Sequence, residues 1–336
     1  MKNNSSSGVL RRQVLESSDL RDQLYLQHPL VTDRLFLSTG PVRRAYESIS
    51  ICITHRDSGL CFVGAPRTGK SYSIEVLRET IQKVFPKLVV LSANAKLHQS
   101  VTEKAFFGDL LEDVGLRFEE RNTAFVRRQR FKQHIKTRCS QLDSSIVLLF
   151  IDEAQIWGEM EFTFLRDIIN DLIKFDSITV IVTLFGSSEI LQTRAFLTSR
   201  NRTDLVGRYL RDPVALLGLQ SLEDVSSVLG QCDDPTLHEY PDYSGVALSQ
   251  FFFPLAYASG WRLASEAPLL WRALLAELHV KPNQNVTIGM AWVMSSVRDF
   301  IFQAGQQGDS DDFCGSETMW QAAVRCGRYS SLQNTF

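Results

Sequence analysis

The sequence predicts an α/β domain built on a parallel sheet, followed by a smaller all-helical domain. Three observations carry this expectation. Apolar runs separated by helical stretches recur between residues 60 and 219; a glycine-rich loop, GAPRTGKS (64–71), lies between the first run and a helix; beyond residue 218 the strand-like runs stop. Strands that are apolar along both faces and alternate with helices belong to a parallel sheet covered on both sides. A chain of 336 residues has room for about two such domains.

Taken in order, residues 1–30 are polar and aperiodic until LYLQHPLV, and read as a flexible N-terminal arm. After Pro41, the positions Val42, Ala45, Tyr46, Ile49, Cys52 and Ile53 repeat with helical spacing. LCFV (60–63) is the first strand, 70–85 a helix, LVVLS (88–92) a strand, 101–115 a helix and 123–142 a basic helix. SIVLLFID (145–152), a helix over 159–175, SITVIVTLFG (177–186) and VALLGL (214–219) complete an α/β domain spanning 31–218. Ser221 and Asp224 form a capping-box pattern that opens a helical domain over 219–304. GQQGDSDD (305–312) reads as a linker before a short last helix, within a tail over 305–336.

Composition excludes several classes. With 36 Lys+Arg against 38 Asp+Glu the chain is nearly neutral, so any nucleic-acid contact must come from local clustering. Six cysteines (Cys52, Cys61, Cys139, Cys232, Cys314 and Cys326) contain no C-x-x-C pair, which argues against structural zinc and for reduced thiols. The N-terminal stretch lacks an apolar signal region, and no apolar run is long enough to span a bilayer, so a cytoplasmic protein with no membrane partner is expected.

GAPRTGKS fits G-x-x-x-x-G-K-[ST] through Gly64, Gly69, Lys70 and Ser71. Glycines let the backbone curl until successive N–H groups point at phosphate oxygens, and the following helix adds its partial positive charge. Gly64, Ala65, Pro66, Arg67, Thr68, Gly69, Lys70 and Ser71, with Tyr72 beyond them, are therefore the candidate nucleotide-binding residues. Lys70 would reach the β- and γ-phosphates, and the Ser71 hydroxyl would meet Mg²⁺.

VLLFIDEAQ places Asp152 and Glu153 at the carboxyl end of an apolar strand, where open α/β sheets form their ligand crevice. Asp152 is the expected support of the Mg²⁺ shell and Glu153 the acceptor that activates the attacking water. TLFGSSE ends the next strand and offers Ser187 to the water or the γ-phosphate. Arg200, Arg202, Arg208 and Arg211 follow, any of which can complete a neighbouring subunit's site by meeting charge on the transferring phosphoryl group. No N-K-x-D stretch follows the loop, so ATP is expected rather than GTP.

GAPRTGKS, LLFIDEAQ, LFGSSE and DLVGRY, in that order and ahead of a helical lid, resemble the motifs of an AAA+ ATPase. Within that superfamily the layout is similar to the TnsC/TniB transposition regulators, including those of CRISPR-associated transposons, over about residues 30–300. The resemblance implies that residues 64–71 are Walker A, Asp152 and Glu153 Walker B, Ser187 sensor 1, Arg208 the arginine finger and Arg262, in SGWRLAS, sensor 2. It further implies a homo-oligomeric ring or filament, of six or seven subunits, formed with ATP and Mg²⁺ on double-stranded DNA. That assembly would link a target-selection protein to a transposase and be discarded on hydrolysis.

A DNA surface is expected on residues 121–138, which hold Arg121, Arg127, Arg128, Arg130, Lys132, Lys136 and Arg138 and no acidic residue. Val126, Phe131, Ile135 and Cys139 would anchor one helix face, leaving Arg127, Arg128 and Lys132 to follow a phosphate backbone without reading bases. Two other readings share the nucleotide motifs: a helicase loader or initiator, which would grip single strands with aromatic residues, and a nucleotide-bound adaptor with little hydrolysis. The retained Glu153 argues against the adaptor, because binding alone does not need it.

Overall fold

A computed structural model describes residues 3–16, 19–66, 68–279 and 286–333. The chain forms two compact units, one over Pro41–Leu217 and one joining Met1–Gly40 to Gly218–Phe336.

The first unit is built on strands β1 (Gly59–Val63), β2 (Val89–Asn94), β3 (Ile146–Asp152), β4 (Thr179–Gly186) and β5 (Val214–Ala215). Their order across the sheet is β2-β3-β4-β1-β5, and every pairing is parallel. Each predicted run is thus a strand, the last reduced to two residues. Helices Gly40–His55, Lys70–Val84, Glu103–Asp113, Ala124–Leu142 and Glu159–Asp176 fall where helical spacing places them. Ile190–Ser199 and Thr203–Tyr209 are two further helices within the arginine-rich stretch.

Alternation along the central strands separates two apolar layers. Val147, Leu149 and Ile151 of β3 pack with Phe106, Phe107, Phe131 and Ile135. The Phe62 and Phe185 rings stack at 5.1 Å, with Phe150 a further 6.0 Å from Phe185. Gly59 opens β1 at φ +143°, where a Cβ would lie 1.8 Å from the Val182 carbonyl oxygen, so the strand can begin beside β4 only with glycine there.

The second unit contains helices and two isolated bridges, Leu219 to Ile288 and Glu239 to Ala247, among its described residues. Ser221 caps helix Leu222–Asp233 by accepting from the Asp224 N–H at 3.1 Å, as the capping pattern predicts. The N-terminal segment differs from the expected arm. Helices Asn3–Leu15, Asp19–Tyr25 and Pro29–Thr32 precede the first unit. Tyr240 Oη donates to the Leu24 carbonyl at 2.9 Å, Arg21 to that of Phe251 at 2.9 Å and Arg298 to that of Leu30 at 2.9 Å. His28 is fully buried among the rings of Tyr240, Phe251 and Phe252. At the other end the last helix runs from Glu317 to Gln333, longer than expected, and Trp320 stacks on Phe300 at 4.0 Å. The buried Glu266 accepts from the Trp261 and Trp320 indoles at 2.8 and 2.9 Å and from Gly315 N at 2.9 Å. Among the described residues no helix is long and apolar enough to cross a membrane.

Candidate nucleotide site

Strand register brings the motifs together. Val63 of β1 pairs with Gly186 of β4, Ile151 of β3 with Leu184 of β4, and Asn94 of β2 with Asp152 of β3, so the strands end along one edge. The glycine-rich loop, Asp152, Glu153 and Ser187 all follow at that carboxyl edge, where parallel sheets place their ligands.

The loop leaves β1 at Gly64, whose N–H donates to the Gly186 carbonyl at 3.0 Å. A Cβ on Gly64 would meet Thr68 Oγ1 at 2.7 Å and the Leu216 oxygen at 2.8 Å. Gly69 caps the next helix at φ +95°, a left-handed conformation that glycine adopts without strain. Lys70 is buried, and its ammonium donates to the carbonyls of Gly64 and Ala65 at 3.3 and 3.2 Å, which curls the loop around it. Ala65, Pro66 and Thr68 form the turn, Thr68 donating to the Ala65 carbonyl at 2.9 Å, and Tyr72 lies in the first turn of helix Lys70–Val84. Arg67 lies outside the described residues.

Ser71 Oγ donates to Asp152 Oδ2 at 2.5 Å, and the other Asp152 oxygen accepts from Glu153 N at 2.8 Å. A cleft of about 300 Å³ opens beside this pair, bounded by Asn94 and Asp113 as well. Glu153 takes a left-handed φ of +53° and turns the chain into a short 3-10 segment, Ala154–Ile156. That turn returns Gln155 toward the edge, where its Nε2 donates to Glu153 Oε2 at 2.5 Å and its Oε1 accepts from Ser187 N at 2.9 Å. Nothing in the DEAQ motif marks Gln155 from its residue type alone; only the folded turn at Glu153 brings it to the site.

Four arginines compete for the finger role. Arg200 pairs with Glu159 at 3.1 Å, Arg202 with Glu159 and with Asp204 at 3.1 Å, and Arg211 with Asp212 at 3.4 Å. Arg208 differs: its guanidinium donates to the Asn170 amide oxygen at 2.8 Å, and no ion pair neutralises it among the described residues. Asp204, held by Arg202 and Arg166, has its carboxyl pushed well below the usual range by those bonds. Arg262 belongs to the helical unit, where it donates to the carbonyls of Tyr257 and Trp261 at 2.8 and 2.7 Å and lies 3.6 Å over the Tyr257 ring.

The basic helix corrects the expected facing. Arg127, not Val126, continues the buried stripe of Phe131, Ile135 and Cys139, one helical step apart, and Val126 is exposed. The Arg127 guanidinium donates to the Lys104 carbonyl at 3.1 Å and stacks on Phe118 at 4.1 Å. The adjacent stripe is neutralised: Arg128 meets Asp171 at 2.7 Å and Glu103 at 3.4 Å, while Lys132 and Lys136 converge on Asp176 at 2.9 and 2.8 Å. Those lysines hold the Asp176 carboxyl below its ordinary pKa. Arg130 and Arg121 remain exposed, the latter beside Glu119, and Arg138 is half-buried.

A parallel β2-β3-β4-β1-β5 sheet carrying this loop and carboxylate pair is the AAA+ P-loop ATPase fold. Residues 53–193 match the family model of an AAA domain. The Aeropyrum pernix ORC2 protein, solved in ADPNP–ADP complexes, superposes with a TM-score of 0.56 at 13% identity, over 97% of this chain and 74% of its own. At that identity the likeness defines the fold. The Aeropyrum pernix ORC1 protein in complex with DNA scores 0.45 at 13% identity (90% and 68% covered), and domain III of the Thermotoga maritima replication initiation protein DnaA 0.44 at 14% (86% and 93%). No curated protein matches the sequence significantly.

Proposed function

We propose that the protein is an ATP-hydrolysing molecular switch that assembles as a ring or filament on double-stranded DNA. The observation that carries this reading is the convergence of Lys70, Ser71, Asp152 and Glu153 on one edge of the sheet. A site that only bound nucleotide would need the loop and its metal ligands; the added carboxylate of Glu153 is what hydrolysis requires.

In this mechanism the loop N–H groups and the helix amino terminus receive the phosphates, and Lys70 exchanges its loop carbonyls for phosphate oxygens. Ser71 and Asp152 are hard oxygen donors suited to Mg²⁺, whose remaining positions phosphate and water would fill. The ion neutralises phosphate charge when bound. Glu153 takes the proton of the attacking water, Ser187 lies on the neighbouring strand tip, and Arg208 of an adjacent subunit meets charge on the γ-phosphate.

Within this class we assign a transposition-regulator role, joining a target-selection protein to a transposase, on the overall size of the chain and the spacing of its motifs. An initiator role is the second reading, and the ORC2 likeness favours it. Electron microscopy of the Glu153→Gln protein with ATP and duplex or single-stranded DNA tests both. Nucleotide-dependent rings or filaments on duplex, retaining added transposase, support the first; assembly on single strands, or duplex assemblies that ignore transposase, support the second; monomers throughout overturn the switch.

A further inference from the structure

We infer that Gln155 is a positioning residue for hydrolysis, which holds the Glu153 carboxylate by tying it to the tip of β4. The inference rests on the hydrolytic reading of Glu153.

One amide makes two bonds with opposite ends. Its Nε2 donates to Glu153 Oε2 at 2.5 Å, and its Oε1 accepts from the Ser187 backbone at 2.9 Å. The Ser187 N–H can only donate, so it fixes which end of the amide faces it, and the N–H₂ end is left facing the carboxylate. Space for this orientation comes from Gly186, where a Cβ would stand 3.1 Å from Gln155 Oε1 and 3.3 Å from Gln155 N. The same Gly186 accepts from Gly64 N at 3.0 Å. A continuous path therefore runs from the start of the phosphate loop through the β4 tip and the Gln155 amide to Glu153.

The bond to Oε2 leaves Oε1 of Glu153 to receive a water proton. A carboxylate on a left-handed turn, with its own N–H already held by Asp152, has little else to fix its side chain, and a general base gains its rate from being held in line. Gln155 acts through Glu153 and need not touch the nucleotide.

Steady-state ATP hydrolysis by the full chain tests this with three variants. Gln155→Ala should lower kcat about 10- to 100-fold while KM for ATP moves less than about twofold. Gln155→Glu keeps an acceptor for Ser187 N but has no N–H for Glu153, and should fall with the alanine variant. The Glu153→Gln/Gln155→Ala double variant should be no slower than Glu153→Gln, because the amide then has no base to place. A Gln155→Glu protein with wild-type kcat, an Ala variant with unchanged or raised kcat, or a double variant slower by the product of both losses overturns the inference. Wild-type protein without hydrolysis would instead remove the reading beneath it.

Discussion

Ser71 and Asp152 share a 2.5 Å hydrogen bond across 81 residues of sequence, joining the helix after the phosphate loop to the end of β3. The bond sets the hydroxyl and the carboxylate side by side, where both oxygens can meet one divalent cation. Ser71→Ala is expected to retain ADP affinity measured without divalent ions and to lose the gain that Mg²⁺ gives ATP. Lys70→Ala should lose ATP under both conditions, since it removes the buried ammonium around which the Gly64 and Ala65 carbonyls curl. Titration calorimetry with and without Mg²⁺ checks both, and a full Mg²⁺ gain in Ser71→Ala would remove that residue from the site.

Arg127 and Arg130 separate structure from DNA contact on a single helix. Arg127 is 6% exposed, with its guanidinium on a carbonyl and an aromatic face, so Arg127→Ala should destabilise the α/β unit by about 2–4 kcal/mol in urea unfolding. Arg130 is exposed; Arg130→Ala should leave stability within about 0.5 kcal/mol and reduce the salt slope of duplex binding by about one. An unchanged slope in an Arg121→Ala/Arg130→Ala protein would move the DNA surface off this helix.

The strands were legible because a sheet covered on both faces must be written as apolar runs, and their carboxyl ends carry the motifs. Arg127 was harder to read. An arginine two steps before Ile135 in an i, i+4 stripe looks solvated, and its burial depends on Phe118 and on the Lys104 carbonyl, which only the folded chain brings near. Gln155 was hidden for a related reason: the left-handed turn at Glu153 that returns it to the site leaves no mark in composition or period. The N-terminal helices look like an arm in sequence because their anchors lie far along the chain, as with Tyr240 and Leu24, 216 residues apart.

His28 makes the helical unit sensitive to acid. Burial pushes its pKa down to about 3, and its Nδ1 accepts from Leu30 N at 3.1 Å, a bond that protonation would break. The unfolded chain titrates near 6.5 and so binds the proton first; stability is therefore full at neutral pH and falls as pH drops from about 6.5 toward 3. The loss attributable to this residue is roughly 3 kcal/mol between pH 7 and pH 4. Thermal unfolding of His28→Phe should show a correspondingly weaker dependence over that window, whatever its stability at pH 7; an identical dependence in the variant would exclude His28 as the source.

Arg208 offers the sharpest test of assembly. Helix Thr203–Tyr209 is anchored by Leu205 and Tyr209, both fully buried, and it presents Arg208 to the neutral Asn170 amide, whereas Arg200, Arg202 and Arg211 each meet a carboxylate. A guanidinium without an ion pair keeps its charge available for a phosphoryl group. If that group is bound by the neighbouring subunit, Arg208→Ala proteins bind ATP and assemble but do not hydrolyse. Lys70→Ala proteins have the opposite defect, an intact Arg208 beside an empty loop. Mixing the two inactive proteins on DNA should then restore hydrolysis, because a Lys70→Ala subunit supplies Arg208 to an Arg208→Ala neighbour whose Glu153 is intact. A mixture that stays inactive, although co-assembly is seen by cross-linking, would place the action of Arg208 within its own subunit.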